Sequence, residues 1–212
     1  MRDIPVFATE NGVGSLMLKE VPYKQTAYIR IHDASNADAF LNECAGFCRA
    51  VGAEHIYATG HPSLECRPVH TKIIKMCTLR KDLPKTNAVV QPVTKETTNH
   101  WRELYNKRMV SVPGAASMEI RDVNSLVNHA TGYFVYENDV LLGIGIAEND
   151  EVVALAAVKP GAGKDVLLAL CHTLQTDTIC LDVALTNERA VRLYKQVGFA
   201  VSKEKYNWYE IM

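Results

Sequence analysis

The sequence predicts an α+β protein, a mixed α/β sandwich in which a central, mostly antiparallel sheet is flanked by helices. Three observations carry this. Three apolar runs between residues 132 and 158 are separated by Glu-Asn-Asp triplets at 137–139 and 148–150. Short Asn and Asp side chains bond nearby backbone and tolerate left-handed dihedrals, so the triplets predict the tight turns of a three-stranded meander. Apolar residues recur at helical spacing in 36–52, 164–174 and 187–197. Finally, 212 residues with 48% hydrophobic and 22% charged content can bury a sizeable core, which excludes a disordered chain.

The elements follow in order. Residues 14–33 hold two apolar-rich runs flanking Pro22 and read as two strands, with Tyr28, Arg30 and His32 alternating with Ala27, Ile29 and Ile31. In 36–52, Phe40, Leu41, Cys44, Phe47, Cys48 and Val51 form a helical stripe, capped by Asn36 and stopped by Gly52. HIYATG and VHTKIIKMCTL read as strands. A break with Pro84 and Pro92 follows. Trp101, Leu104 and Tyr105 mark a helix, and a second, started by Ser117 or Asp122, packs through Val123, Leu126 and Val127. After the meander, in which Gly143 and Gly145 either relieve crowding against a helix or mark a bulge, Pro160 ends the last strand. Val166, Leu167, Leu170 and Leu174 give a helical stripe. TICLDVAL is a continuous apolar strand, a sign of burial on both faces. A final helix runs from Asn187 to Gly198, and FAVS and KYNWYEIM close the chain as two strands.

The formal net charge of -1 and the lack of a long basic stripe argue against nucleic acid as a partner. RKDLPK at 80–85 is short and interrupted, the mark of a solvated connector. No apolar run is long enough to cross a bilayer and the N-terminus has no signal-peptide core, so no membrane partner and a cytoplasmic location are expected. The six cysteines, 44, 48, 66, 77, 171 and 180, include no CxxC pair and are read as buried thiols.

The letters LDVALTNERAVRLYKQVGF, 181–199, together with the meander YFVYENDVLLGIGIA, resemble the GCN5-related N-acetyltransferase (GNAT) superfamily of acyl-CoA N-acyltransferases. The likeness covers about 90–212. The first half matches only in element order, so chance and duplication with partial loss both stand as explanations. The resemblance implies an acyl-CoA N-acyltransferase fold, with a partial copy-like subdomain at 1–85 and a GNAT-like acetyltransferase domain at 90–212.

The resemblance also implies an activity: transfer of an acetyl group from acetyl-CoA, the acyl donor, to a primary amine by direct attack on the thioester. Tyr194 matches the residue that often protonates the departing CoA thiolate. A phenol holds its proton at neutral pH, so it can act as a general acid. Asn187 matches a contact to the pantetheine arm. Ala156, Ala157 and Val158 match the strand backbone beside that arm, where N–H groups pair with its amides or face the thioester oxygen. Gly161, Ala162, Gly163 and Lys164 match the pyrophosphate loop at a helix N-terminus. GAGK is not a Walker A loop, because Asp165 follows the lysine.

Two departures stand out. The loop after Val158 is several residues short, and Val158 stands where the family carries Arg or Gln three before Gly161; Lys159 or Lys164 could compensate. No general base is marked: Glu151, Glu119, Glu137, His129 and Asp182 all read better as surface, capping or packing residues. A non-catalytic acyl-CoA sensor and an interaction module with a degenerate cleft are the alternatives. The amine acceptor is not named by the sequence, and the partner reading admits a homodimer. His61, Cys66 and His70 match no strong metal signature, so no metal is expected.

Overall fold

A computed structural model of the chain describes residues 5–110, 112 and 115–211. The elements are β1 (Val6–Thr9), β2 (Gly12–Met17), the single turn α1 (Val21–Lys24), β3 (Thr26–Ala34), α2 (Ala37–Ala50), β4 (His55–Thr59), β5 (Val69–Leu79), β6 (Val89–Pro92), α3 (Thr98–Met109), α4 (Ile120–His129), β7 (Gly132–Glu137), β8 (Val140–Glu148), β9 (Glu151–Ala157), α5 (Gly163–Thr173), β10 (Thr178–Ala184), α6 (Glu188–Val197) and β11 (Ala200–Glu210). The expected mixed α/β sandwich is present, with mostly antiparallel strands and flanking helices. The chain divides into two units, unit 1 of residues 1–73 and 205–212 and unit 2 of residues 74–204.

In unit 1, β1, β2 and β3 pair antiparallel, β3 pairs parallel with β4, and the end of β11 pairs antiparallel with β4. Asn36 caps α2 by accepting the Ala39 N–H at 3.2 Å. The α2 stripe of Phe40, Leu41, Cys44 and Cys48 buries against Leu16, Ile29, Ile31 and Ile56, whereas Phe47 and Val51, expected in the same stripe, stay largely exposed. Each of the Leu, Ile and Phe side chains among these contributes about 1.5–3 kcal/mol on burial.

In unit 2 the strand order is β5-β10-β9-β8-β7-β6. Helices cover both faces of its sheet. On one, α5 and α6 place Val166, Leu167, Leu170, Tyr194 and Val197 against Ile74, Met76, Leu142, Ile179 and Leu181. On the other, α3 and α4 place Trp101, Tyr105 and Val123 against Phe134, Ile144, Ile146 and Ala156. Fully buried Trp101 donates its indole N–H to Tyr133 O at 3.0 Å. The two acidic triplets form the expected turns, with Asn138, Asp139 and Asn149 at φ 49°, 62° and 55°.

Several expectations are corrected. β1 and β6 are short strands in stretches that carry little periodicity. α4 is capped by Glu119, whose partner in a capping box is Asp122, and not by Ser117 or Asp122. The two closing strands are one, β11, because a strand needs no break where its residues simply stay exposed. Gly143 and Gly145 lie beneath α5. A Cβ on Gly143 would stand 2.6 Å from Val166 Cγ2, and one on Gly145 would collide with Leu170.

The cysteine reading also changes. Cys77 on β5 and Cys180 on β10 form a disulfide. Cys66 is exposed, and only Cys44, Cys48 and Cys171 are buried thiols. Strand adjacency between residues 103 apart decides the pairing, and local sequence carries no sign of it.

Candidate functional site

The site is a fork between two parallel strands of unit 2. β9 and β10 are in register at one residue pair, Glu151 opposite Cys180, with the Cys180 N–H on Asp150 O at 2.8 Å. Beyond it no further pair is in register among the described residues. The cause lies on the other edge of β9. There Ile146 pairs with Ala154 and Ala147 with Val152, so Val153 is an extra residue. Such a bulge bends and twists its strand, and here it follows directly on the last β9–β10 pair. The parallel pair in unit 1 differs. β3 and β4 stay in register over five pairs, from Thr26–His55 to Arg30–Thr59.

Hydrogen-bond phase decides which backbone groups face the fork. Val158 N–H and Lys159 N–H both donate to Leu142 O, at 2.8 and 3.0 Å. Residues of an antiparallel ladder alternate between exchanging bonds with the partner and turning away from it. Counting back from Val158, Ala156 opposite Ile144 turns into the ladder, whereas Leu155 and Ala157, opposite Gly145 and Gly143, turn toward β10. Of Ala156, Ala157 and Val158, therefore, Ala157 directs its N–H at the fork, and Leu155 joins it. The carbonyl of Val158 accepts from Arg108 Nη2 at 2.7 Å, which ties α3 to the exit of β9.

The β9–α5 loop is short. Gly161 takes φ 85° with open space where a Cβ would project. Ala162 is buried and is the N-cap of α5, without a side-chain cap; its N–H donates to Lys159 O. The first helical bond is Val166 N–H to Ala162 O, so the N–H groups of Gly163, Lys164 and Asp165 precede it and lack intrahelical acceptors. Partial positive charge collects there. Lys159 and Lys164 are exposed beside it. Asp165 opposes this, since it places a carboxylate in the same first turn and accepts from Thr86 Oγ1 at 3.5 Å. The Cα of Gly163 faces α6, where an added Cβ would stand 3.2 Å from Leu193 Cδ2.

On α6, Asn187 is the N-cap, its side chain accepting the Ala190 N–H at 3.3 Å. Gly198 closes the helix at φ 105°. Tyr194 lies in the core between α5 and Phe199, whose ring centroid is 6.2 Å from its own. Burial, and secondly the neighbouring Cys171 thiol, pushes its phenol up to about 12. The group stays protonated at any physiological pH.

The other titratable candidates have structural employment. Glu119 caps α4 and pairs with Arg121 Nε at 2.9 Å. His129 Nδ1 lies 2.8 Å from Ser125 O. Lys75 Nζ bridges Glu151 at 3.6 Å and Asp182 at 4.0 Å. Glu137 ends β7, its backbone opposite Val140 at the β7–β8 turn. His61 caps the 3-10 turn Pro62–Cys66, and His70 stacks on Tyr57 at 3.8 Å. Among the described residues no group of three or more His, Cys, Asp or Glu is placed to hold a metal ion. No described helix is long and apolar enough to cross a membrane.

Sequence reading missed Leu155, Arg108 and Asp165. Only Asp165 left a sign, an acid directly after GAGK. The roles of Leu155 and Arg108 are set by ladder phase and helix docking.

No protein-family model matches the sequence, and no curated protein matches it. Solved structures do match in fold. A functionally unknown conserved protein from Staphylococcus epidermidis superposes with TM-score 0.58 at 12% identity, covering 99% of this chain and 95% of its own. A GNAT-family acetyltransferase from Colwellia psychrerythraea gives TM-score 0.53 at 13% identity, with 98% and 84% covered. A tandem GNAT protein from the clavulanic acid biosynthesis pathway gives TM-score 0.55 at 10% identity, with 94% and 78% covered. The chain thus has the fold found in GNAT acetyltransferases.

Proposed function

We propose that this protein is a GNAT-type N-acetyltransferase whose unit 2 binds acetyl-CoA in the β9–β10 fork and passes the acetyl group to a primary amine. The observation that carries the reading is the fork: one pair in register in unit 2 against five in unit 1. A strand edge released in this way offers backbone N–H and C=O groups to an amide-bearing arm, in the manner of strand addition. Unit 1 would then be a partial copy whose fork has zipped shut and whose helix N-terminus Asn36 already caps. The fold likeness to a tandem GNAT protein supports a two-part reading of the chain.

In this reading the pantetheine amides pair with Leu155 and Ala157, and Asn187 supports the arm. The diphosphate meets the first turn of α5 and Gly161, Gly163 and Lys164. The acceptor nitrogen attacks the thioester carbon, and the oxygen that gains charge is held by the Ala157 N–H, a pre-positioned donor. The carbon–sulfur bond breaks, and the Tyr194 phenol gives its proton to the leaving sulfur. The proton of the attacking amine passes to water.

One observation favours a second reading, an interaction module with a degenerate cofactor cleft: Asp165 places negative charge in the first turn of α5, where the diphosphate would have to sit. Isothermal titration with CoA, followed by turnover of acetyl-CoA with a panel of small amines and peptide N-termini, separates the two. Saturable binding without turnover leaves a non-catalytic acyl-CoA binder. No binding overturns the acetyltransferase and selects the interaction module.

A further inference from the structure

Unit 2 holds a cavity of about 560 Å³ whose walls are the last turns of α4 and α5, the start of β7 and the β8–β9 turn. It lies away from the fork. Ala157 pairs with Gly143, four residues before Ala147 of the cavity wall on β8, which is about 13 Å of strand. The β9–α5 loop is at the opposite end of α5. An occupant of this cavity is therefore not the group that meets Ala157.

Local structure fixes what the walls offer. Both helices turn their C-terminal ends to the cavity, α4 ending at Ala130 with φ 53° and α5 at Leu174. Terminal C=O groups without intrahelical partners collect partial negative charge there. Glu148 adds a carboxylate, which makes no ion pair among the described residues. No Lys or Arg is among the described residues of the wall. Arg80 approaches from behind, and its Nη1 is taken by Gln175 Oε1 at 3.4 Å.

The donors of the wall are largely spent on backbone. Tyr133 donates its hydroxyl to Ala130 O at 2.8 Å, and Thr173 donates its own to Leu170 O at 2.7 Å. Gln175 Nε2 donates to Thr173 O at 3.3 Å. His129 Nδ1 lies 2.8 Å from Ser125 O; a carbonyl only accepts, so that nitrogen carries the proton. Lone pairs remain on Tyr133 Oη, Thr173 Oγ1 and Nε2 of a neutral His129. Thr131 and Asn149 complete the polar wall and can accept as readily as donate.

We propose that this cavity is a binding site for a small molecule carrying a primary ammonium group, with Glu148 as its counter-ion and the acceptor-rich wall taking its N–H bonds. An ammonium fits on both counts, since it brings a positive charge and three donors and has no acceptor. An anion would face a carboxylate and two helix C-termini. A quaternary cation would satisfy the charge but leave the lone pairs without donors. The volume suits a molecule of metabolite size. This assignment does not rest on the acetyl transfer proposed above.

Titration of the isotope-labelled full chain with n-butylammonium chloride at constant ionic strength, followed by amide chemical shifts, tests the site. The amides of Thr131, Glu148, Asn149 and Gln175 should shift together and saturate. Tetramethylammonium and n-butanol, which lack the donors and the charge respectively, should bind about tenfold more weakly or not at all. Glu148→Gln should weaken n-butylammonium binding by about fivefold. Glu148→Lys, which carries its own ammonium into the cavity, should abolish it. Shifts that rise without saturating or that fall elsewhere on the chain overturn the site. Equal affinity for tetramethylammonium, or wild-type affinity in folded Glu148→Gln, does so as well.

Discussion

Glu151 and Cys180 face one another as the one pair in register between β9 and β10 among the described residues, and the strands part immediately beyond them. The bulge at Val153 makes the separation local. The β8 edge of β9 keeps its ladder while the β10 edge is released, so a rigid strand presents Leu155 and Ala157 outward. That asymmetry underlies the first prediction.

Ala157→Pro should delete the one fork-facing N–H assigned to the thioester oxygen while sparing the β8 ladder, in which Ala157 makes no bond. Proline is tolerated where a strand N–H faces outward. The chemical rate should drop by about 100-fold to 1,000-fold, the usual loss for one oxyanion donor. Single-turnover kinetics with an established acceptor would measure it; a wild-type rate in the folded variant removes Ala157 from the mechanism.

Tyr194→Phe keeps the ring beside Phe199 and removes only the hydroxyl. The chemical step should slow by ~100-fold to ~10,000-fold, with acetyl-CoA affinity nearly unchanged. Rapid-mix assays at saturating acetyl-CoA isolate that step. An undiminished rate would leave Tyr194 as a core aromatic.

Asp165→Asn should strengthen CoA binding, because it removes the negative charge from the uncapped first turn of α5. An interaction with the helix terminus of about 0.3–1 kcal/mol corresponds to about a twofold to fivefold gain in affinity at low ionic strength. The gain should shrink as salt is added. Titration calorimetry at two salt concentrations checks both; equal or weaker binding would show that the diphosphate does not meet this turn.

Gly143→Ala should destabilise unit 2 by about 1–3 kcal/mol or more. The added methyl would stand 2.5 Å from Ala156 O and 2.6 Å from Val166 Cγ2, and a backbone oxygen in a ladder cannot move aside. Urea unfolding would read the loss. Gly161→Ala is a contrasting case, costing only the strain of φ 85° in open space.

Stability should also fall in alkali. Burial raises Cys171 from 9.0 to about 12 and Tyr194 from 10.0 to about 12. The unfolded chain loses these protons at lower pH than the fold does, so rising pH favours unfolding. The stabilising effect is complete below about pH 9 and is lost toward pH 12, at up to ~1.4 kcal/mol per pH unit for each group. Cys171→Ala should flatten the slope between pH 9 and 10 by about one proton equivalent. An unchanged slope in urea titrations across that range would contradict it.

By itself the sequence determined the local grammar of this protein. The alternation in 132–158, the acidic triplets at its turns, the stripe and caps of α2 and α6, and Gly198 at φ 105° all follow from short-range sterics and periodicity. It also marked Asn187, Tyr194 and the glycines before α5 as worth placing. Four things were decided only in three dimensions: the release of β9 from β10, the outward turn of the Ala157 N–H but not that of Ala156 or Val158, the Arg108 bond to Val158, and the Cys77–Cys180 bridge. Each depends on which strand lies beside which, and in what register. A one-residue slip reverses every outward N–H of a strand, and no pattern within β9 records the phase that Leu142 on β8 imposes on it.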